Sequence, residues 1–172
     1  MPTFRELLPL YRYVESAGTL QPISMPTRAA FVFVPGCTTK ARTTTATLGQ
    51  TELDVTLRHN LLQTAFYERL VSKFGTKNVG TELASGAGTS VDVVVRRADG
   101  YWFYEIKTAH SPRACIREAL GQLLEYAFWP GAQEALRLIV VGESSLDQEG
   151  ADYLQRLRTK FSLPVHYEQI TV

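Results

Sequence analysis

The stretch "VDVVVRRADGYWFYEIKTA", from Val91 to Ala109, decides the fold that this chain predicts. Two runs rich in β-branched and aromatic residues flank an Asp-Gly pair, which is the pattern of a β-hairpin closed by a tight turn. With Asp99 and Gly100 as the two central residues of the turn, the register of the hairpin places Asp92 opposite Lys107. The sequence therefore predicts two antiparallel strands that carry charged residues among apolar ones.

Three charged residues of the hairpin are expected to share one face of the sheet. Directly paired residues point to the same side and side chains alternate along a strand, so Asp92, Glu105 and Lys107 emerge together. The opposite face is predicted to hold Val93, Val95, Tyr104 and Ile106. Two close carboxylates suit Mg²⁺ or Mn²⁺, and a nearby ammonium group can neutralise charge on a phosphate. A cross-strand salt bridge between Asp92 and Lys107 on a solvated face explains the same pattern, and on these residues alone both interpretations stay open.

The segments on either side of the hairpin predict helices and one more strand. Upstream, "RHNLLQTAFYERLVSKFG" (58–75) has apolar residues at helical spacing and a glycine at its end, and "KNVGTEL" (77–83) predicts a short strand. Downstream, Ser111 and Pro112 are typical of a helix N-cap and first helical residue, and they precede the predicted helix "RACIREALGQLLEYAFW" (113–129).

The last part of the chain predicts a strand, a helix and a strand. These are "ALRLIVVGE" (135–143), "LDQEGADYLQRLRTKF" (146–161) and "PVHYEQI" (164–170). Strands in a meander followed by a strand-helix-strand crossover imply an α/β fold, with a mixed central sheet flanked by helices on both faces. We assign this domain to residues 57–172. Residues 1–56 are assigned to an N-terminal extension of uncertain structure, which includes a strand-like "AAFVFV" (29–34).

Composition and charge narrow the function classes. The 172 residues carry 18 Lys and Arg against 17 Asp and Glu, so a histone-like nucleic-acid binder is excluded and any basic patch must be local. Cys37 and Cys115 form no CxxC pair or disulfide framework, and the three histidines lack the spacing of zinc ligands. The longest apolar runs are too short to span a bilayer, so we predict a soluble, cytoplasmic protein without a membrane partner.

The helix that follows the hairpin adds a second motif. It contains "GQLLEY", in which Gln122 and Tyr126 lie one turn apart, on the border of the apolar face by which the helix is predicted to pack on the sheet. With "VD" on one strand and "EIK" on the next, the chain from about Arg58 to Val141 resembles the PD-(D/E)XK nuclease superfamily, which has the restriction-endonuclease-like αβββαβ core. Many small nucleases of restriction, mobile-element and phage-defence systems look similar.

The resemblance implies a set of site residues. Asp92, Glu105 and the backbone carbonyl of Ile106 would hold Mg²⁺ or Mn²⁺, and Lys107 would assist the attacking water. Gln122 and Tyr126 would orient the metal site or the phosphate. The resemblance implies that Gln122 is one of the catalytic residues and that Tyr126 is a supporting residue.

The first helix departs from the superfamily pattern. Members commonly carry a glutamate there, whereas here the early turns hold His59, Asn60 and Gln63. We expect His59 or Gln63, rather than Glu68, to reach the site as a supporting residue. The number of metal ions, one or two, therefore stays open. Ordinary polarity at a helix border is the alternative for each. Glu82 on the first strand is another candidate for an outer carboxylate, although an exposed edge glutamate is the favoured interpretation.

Together these residues predict a metal-dependent endonuclease that hydrolyses DNA phosphodiester bonds with a metal-activated water, in the setting of restriction or phage defence. Arg113, Arg117 and Arg97 are candidates for contacts to the nucleic-acid backbone, with a solvated face as the alternative. By resemblance alone, a homodimer is expected for double-strand cutting. A catalytically silent module that binds nucleic acid or a partner, an RNase, and an effector-activated nuclease stay open as alternatives.

Overall fold

The hairpin lies at the centre of a five-stranded sheet. The structure is a computed structural model, and it describes residues 29–38, 50–86 and 88–172. The strands are β1 (Val79–Ala84), β2 (Ser90–Arg97), β3 (Gly100–Ile106), β4 (Arg137–Gly142) and β5 (Val165–Gln169). They lie side by side in this order, antiparallel from β1 to β3 and parallel from β3 to β5. The predicted mixed sheet is therefore confirmed.

Helices cover both faces of this sheet. The α-helices of the described residues are α1 (Gln50–Phe74), α2 (Pro112–Phe128) and α3 (Gln148–Phe161), and a short 3₁₀ helix (Thr76–Asn78) joins α1 to β1. Helix α1 packs on one face, whereas α2 and α3 pack on the other, so the predicted α/β layers are confirmed. Among the described residues, no helix combines the length and the apolar character needed to cross a bilayer.

Each face of the sheet buries its own apolar cluster. The cluster under α1 includes Leu62, Phe66, Leu70, Val93, Val95, Tyr104 and Ile106. The cluster under α2 and α3 includes Val94, Phe103, Ile116, Leu123, Leu138, Val140 and Leu154. Burial of apolar surface is the main favourable contribution to folding, and here both layers contribute to it. The prediction that two valines of β2 share a face with Tyr104 and Ile106 of β3 is confirmed.

The helix ends follow local sequence signals. Oγ of Ser111 accepts a hydrogen bond from the backbone amide of Ala114 at 3.2 Å, and Pro112 is the first helical residue, so the predicted N-cap of α2 is confirmed. Gly75 follows α1 with φ +84, a conformation that glycine adopts without steric cost. Helix α1 starts at Gln50, earlier than the sequence predicted, and it crosses the boundary drawn between residues 56 and 57.

The strand-like stretch at 29–34 forms no strand in the structure, so the strand-like interpretation of it is wrong. This part of the chain is linked to β1 by an isolated parallel bridge between Gly36 and Gly80. The rings of Phe31 and Phe33 lie 4.9 and 5.9 Å from the ring of Tyr101, so side chains attach the segment to the sheet. Most of the predicted N-terminal extension lies outside the described residues.

The turn of the β2–β3 hairpin differs from the prediction. Its central residues are Ala98 and Asp99, and Arg97 pairs with Gly100. Gly100 becomes the first residue of β3 with φ +149, and a Cβ there would lie only 3.0 Å from the side chain of Leu136. Glycine is therefore needed at the start of β3 rather than at the second position of the turn.

The displaced turn changes which residues face each other across the hairpin. The prediction that Asp92 lies opposite Lys107 is wrong, because the observed pairs run from Arg97↔Gly100 to Val93↔Tyr104. One further step in this register sets Asp92 opposite Glu105. The register shift is even, so residues of β3 keep their predicted faces.

Candidate active site

Asp92 and Glu105 form a pair of buried carboxylates. Asp92 lies near the start of β2, and Glu105 lies near the end of β3, which runs beside it in the opposite direction. Their residues are 9% and 3% exposed, respectively. Burial, and next the negative charge of Asp92, raise the pKa of Glu105 from its ordinary 4.5 to about 7, although Lys107 and Tyr126 act in the opposite direction. The pair is therefore electrostatically costly unless a positive charge lies beside it.

The carboxylate of Asp92 is held from two sides. Its Oδ2 accepts a hydrogen bond from the backbone amide of Ile106 at 2.8 Å, and it lies 3.2 Å from Nε2 of His59. Ile106 follows Glu105 on β3, whereas His59 belongs to α1. These contacts fix Asp92 where the main-chain ladder of the hairpin ends.

The two oxygens of Glu105 have different surroundings. Oε1 accepts a hydrogen bond from Nζ of Lys107 at 2.8 Å, and this ion pair is largely buried. Oε2 is also buried and makes no hydrogen bond of acceptable geometry among the described residues, although the phenol of Tyr126 is near enough to act on this carboxyl group. A buried carboxylate oxygen without a partner is unfavourable, so it marks a place where a water or a cation belongs.

Helix α1 brings a second polar side chain to Asp92. Nε2 of Gln63 donates to the backbone carbonyl of Asp92 at 2.9 Å and to Oε1 of Glu82 at 2.6 Å. Gln63 is 4% exposed. His59 and Gln63 thus both contact Asp92, whereas Glu68 is exposed on another face of the helix. Glu82 is half-buried and hydrogen-bonded, so the prediction that it is an exposed glutamate at the sheet edge is wrong.

Helix α2 contributes Tyr126 from the other side of the sheet. Tyr126 is 2% exposed and interacts with the carboxyl group of Glu105. Burial, and then the charges of Glu105 and Asp92, raise the pKa of the Tyr126 phenol. Gln122 is exposed, and its Nε2 lies 3.5 Å from the Tyr126 hydroxyl, at the limit of a hydrogen bond. Tyr126 is therefore more deeply buried than the predicted position at the border of the apolar face of the helix. The side chain of Gln122 contacts Tyr126.

The three candidate arginines lie in two different places. Arg113 and Arg117 are exposed on α2 and line a cleft of about 670 Å³ between α2 and α3. Arg97 lies at the turn end of β2, where its guanidinium is 5.1 and 5.2 Å from the rings of Phe74 and Trp102. Arg97 is five positions along the extended strand from Asp92, a distance of roughly 17 Å. The structure does not bring Arg97 to the carboxylate pair.

The ligand set around Asp92 and Glu105 suits some metals and not others. No group of three or more His, Cys, Asp and Glu side chains in the described part of the chain is arranged as a metal centre. Zinc centres need three or four protein ligands, whereas Mg²⁺ keeps several waters and is commonly held by one or two carboxylates. Oε2 of Glu105, which makes no hydrogen bond of acceptable geometry among the described residues, lies beside a second carboxylate and fits a cation of the latter kind.

One part of this arrangement carries no signal that sequence patterns reveal. The link from Glu82 through Gln63 to Asp92 joins residues that are far apart in the chain, and Glu82 was expected to be exposed. Comparison of the chain with protein-family models, with curated proteins and with solved structures finds no match in any of the three.

Proposed function

We propose that this protein is a Mg²⁺- or Mn²⁺-dependent endonuclease that hydrolyses phosphodiester bonds of DNA. The observation that carries the proposal is the buried pair of carboxylates of Asp92 and Glu105, in which Oε2 of Glu105 makes no hydrogen bond of acceptable geometry among the described residues. Like charges this close favour either a bound proton or a bound cation. Two carboxylates can hold a divalent metal and a lysine beside them can offset charge on a phosphate, so together they suit metal-assisted phosphodiester hydrolysis.

The residues that would hold the metal are Asp92, Glu105 and the backbone carbonyl of Ile106. When bound, the metal supplies positive charge to a phosphate and lowers the pKa of a water. Lys107 is held by Oε1 of Glu105, so its ammonium group lies beside the pair, where it orients a water or offsets negative charge on the phosphate. Tyr126 covers Glu105 from the side of α2 and limits access of bulk water there.

The class of substrate rests on resemblance and on local charge. The order of elements with Asp92 on one strand, "EIK" on the next and a following helix resembles the PD-(D/E)XK superfamily, and that likeness supports DNA, a homodimer for double-strand cutting, and a setting of restriction or phage defence. Arg113 and Arg117 are exposed one turn apart on α2, and within the described part of the chain their side chains form no ion pair or hydrogen bond. They are therefore available to a phosphate backbone.

A second candidate function is a non-cleaving module with the same fold. The observation that favours it is the ion pair between Lys107 and Glu105, which partly neutralises the carboxylates without a metal. In this case the exposed arginines of α2 bind nucleic acid or an acidic partner and no bond is cut.

A cleavage assay separates the two functions. Supercoiled plasmid, single-stranded DNA and RNA are incubated with Mg²⁺, Mn²⁺ or EDTA and with the wild type, Lys107→Ala or the matched surface variant Lys77→Ala. Lys77 is exposed in the 3₁₀ helix, away from the site. The nuclease predicts metal-dependent cutting that Lys107→Ala removes and Lys77→Ala keeps. Cutting of RNA alone identifies an RNase, and no cutting by folded protein favours the binding module.

A further inference from the structure

The β1–β2 ladder is irregular at one position, opposite the proposed active site. Pairs on both sides keep one register, with Thr81 opposite Val93 and Leu83 opposite Val91, so Glu82 lies level with Asp92. Glu82 has φ +55, although it is inside a strand. A positive φ is rare for residues with a long side chain, and in a strand it reverses the direction in which the following side chains point.

Both strands change faces at this position. Residues two apart in a strand normally point to the same side. Here Val93 belongs to the cluster under α1, whereas Val91 belongs to the cluster under α2 and α3. On β1, Val79 lies under α1 and Leu83 lies on the other face, although they are four positions apart, an even spacing that normally keeps residues on one face. The change of face places Asp92 between the two layers, where it contacts α1 and also lies beside Glu105.

The side chain of Glu82 joins the same arrangement. Its Oε1 accepts the 2.6 Å hydrogen bond from Nε2 of Gln63, and that nitrogen also donates to the backbone carbonyl of Asp92. Gln63 is almost fully buried, so its amide has little freedom to move. Glu82 thus fixes the side-chain amide of Gln63, which in turn binds the backbone carbonyl of Asp92.

We propose that Glu82 is a positioning residue for Asp92. Its left-handed backbone produces the change of face, and its carboxylate, through Gln63, keeps the main chain of Asp92 in place. The carboxylate of Asp92 can then accept the hydrogen bond from the amide of Ile106. The effect of Glu82 on cleavage rests on the proposed nuclease function, whereas its effect on the geometry of Asp92 does not.

Two variants of Glu82 and one control test this role. Glu82→Gln keeps an oxygen that accepts from Gln63. Glu82→Gly removes the side chain and relieves the strain of the positive φ, since glycine adopts it without cost. The control is Ser162→Gly, because Ser162 has φ +54 at the C-terminal end of α3, remote from Asp92 in the fold. It gives the same relief of strain without touching the site.

Three quantities are measured for each variant: the melting temperature, the exchange rate of the Ile106 amide by NMR in EDTA, and DNA cleavage with Mg²⁺. For Glu82→Gly we expect an unchanged or higher melting temperature, exchange of the Ile106 amide that is at least about tenfold faster, and a similar loss of cleavage. Glu82→Gln should stay within about threefold of the wild type in exchange and cleavage, and Ser162→Gly should change neither.

The outcomes separate this inference from the proposed function. Wild-type exchange of the Ile106 amide in Glu82→Gly overturns the positioning role, whether or not the protein cleaves DNA. Loss of cleavage in proportion to a lower melting temperature also overturns it, because that result indicates a merely structural residue. If the wild type does not cleave any substrate, the nuclease proposal fails, and the exchange rate alone decides the role of Glu82.

Discussion

The backbone amide of Ile106 donates a 2.8 Å hydrogen bond to Oδ2 of Asp92. The hairpin ladder ends at the pair Val93↔Tyr104, so this side-chain contact continues the link between the strands where main-chain pairing stops. It fixes the carboxylate of Asp92 relative to the residue that follows Glu105. The position of the Asp92 carboxylate is thereby tied to the backbone of β3.

Replacing Asp92 with asparagine should remove cleavage but keep the fold. Asparagine retains an oxygen for the amide of Ile106 and removes the negative charge that a cation needs, so we expect a loss of about 100-fold or more in rate. The measurement is the initial rate of plasmid cleavage with Mg²⁺. The matched control is Asp99→Asn in the exposed turn, which should cleave like the wild type. A wild-type rate for Asp92→Asn would exclude this carboxylate from the active site.

Replacing Glu105 with glutamine should stabilise the metal-free protein at high pH. The pKa of Glu105 is raised from 4.5 to about 7, so the folded state binds more protons than the unfolded state between these values. The stability that protonated Glu105 contributes is complete below pH 4.5 and is lost as the pH rises to about 7. At pH 8 in EDTA, Glu105→Gln should therefore be more stable by up to about 3 kcal/mol, and at pH 4.5 the difference should vanish.

Thermal unfolding at both pH values measures this effect. Glu134→Gln is the control, since Glu134 is exposed. At each pH this variant should have the same melting temperature as the wild type. A Glu105→Gln protein that is less stable than the wild type at pH 8 would mean that Lys107 alone compensates the buried charge, and it would remove the main support for a cation site.

A divalent cation should stabilise the wild type by binding between Asp92 and Glu105. At about 100 times its dissociation constant, a ligand that binds only the folded state adds roughly 2.7 kcal/mol. For a chain of this length, that corresponds to a rise in melting temperature on the order of 5 to 10 °C. The test compares melting in Mg²⁺, Mn²⁺ and EDTA for the wild type, Asp92→Asn and Asp99→Asn. Equal shifts in all three proteins would place the cation elsewhere.

The sequence predicted most of the fold because its elements carry strong local patterns. Ser111 and Pro112 mark the start of α2, and the β-branched and aromatic runs mark β2 and β3. The turn was misplaced because Asp-Gly is a common turn pair, whereas Gly100 is required here by its contact with Leu136, which lies far along the chain. Local chemistry does not reveal a contact of that kind.

The candidate site was predictable only in part, for a physical reason. Alternation along regular strands correctly assigns residues of β3 to their faces. It fails at Asp92, because β1 and β2 both change faces at the level of Glu82, which has a positive φ, and glutamate gives no signal for that conformation. The depth of Tyr126 likewise depends on how α2 lies on the sheet, which its own sequence does not fix.

The arginines of α2 should contribute to nucleic-acid affinity through charge alone. Each guanidinium that contacts a phosphate adds about one unit to the slope of log affinity against log salt, so Arg113→Ala and Arg117→Ala should each lower that slope by roughly one. Binding is measured in Ca²⁺ or EDTA between low and moderate salt, so that no cleavage intervenes. Arg97→Ala is the matched control, because Arg97 lies at the far end of β2 against Phe74 and Trp102 and should leave the slope unchanged. If Arg97→Ala lowers the slope and the α2 variants do not, nucleic acid binds at the turn end of the sheet. That place is remote from Asp92 and Glu105, so the bound substrate would not reach the carboxylate pair and the nuclease proposal would lose its support from the arginines.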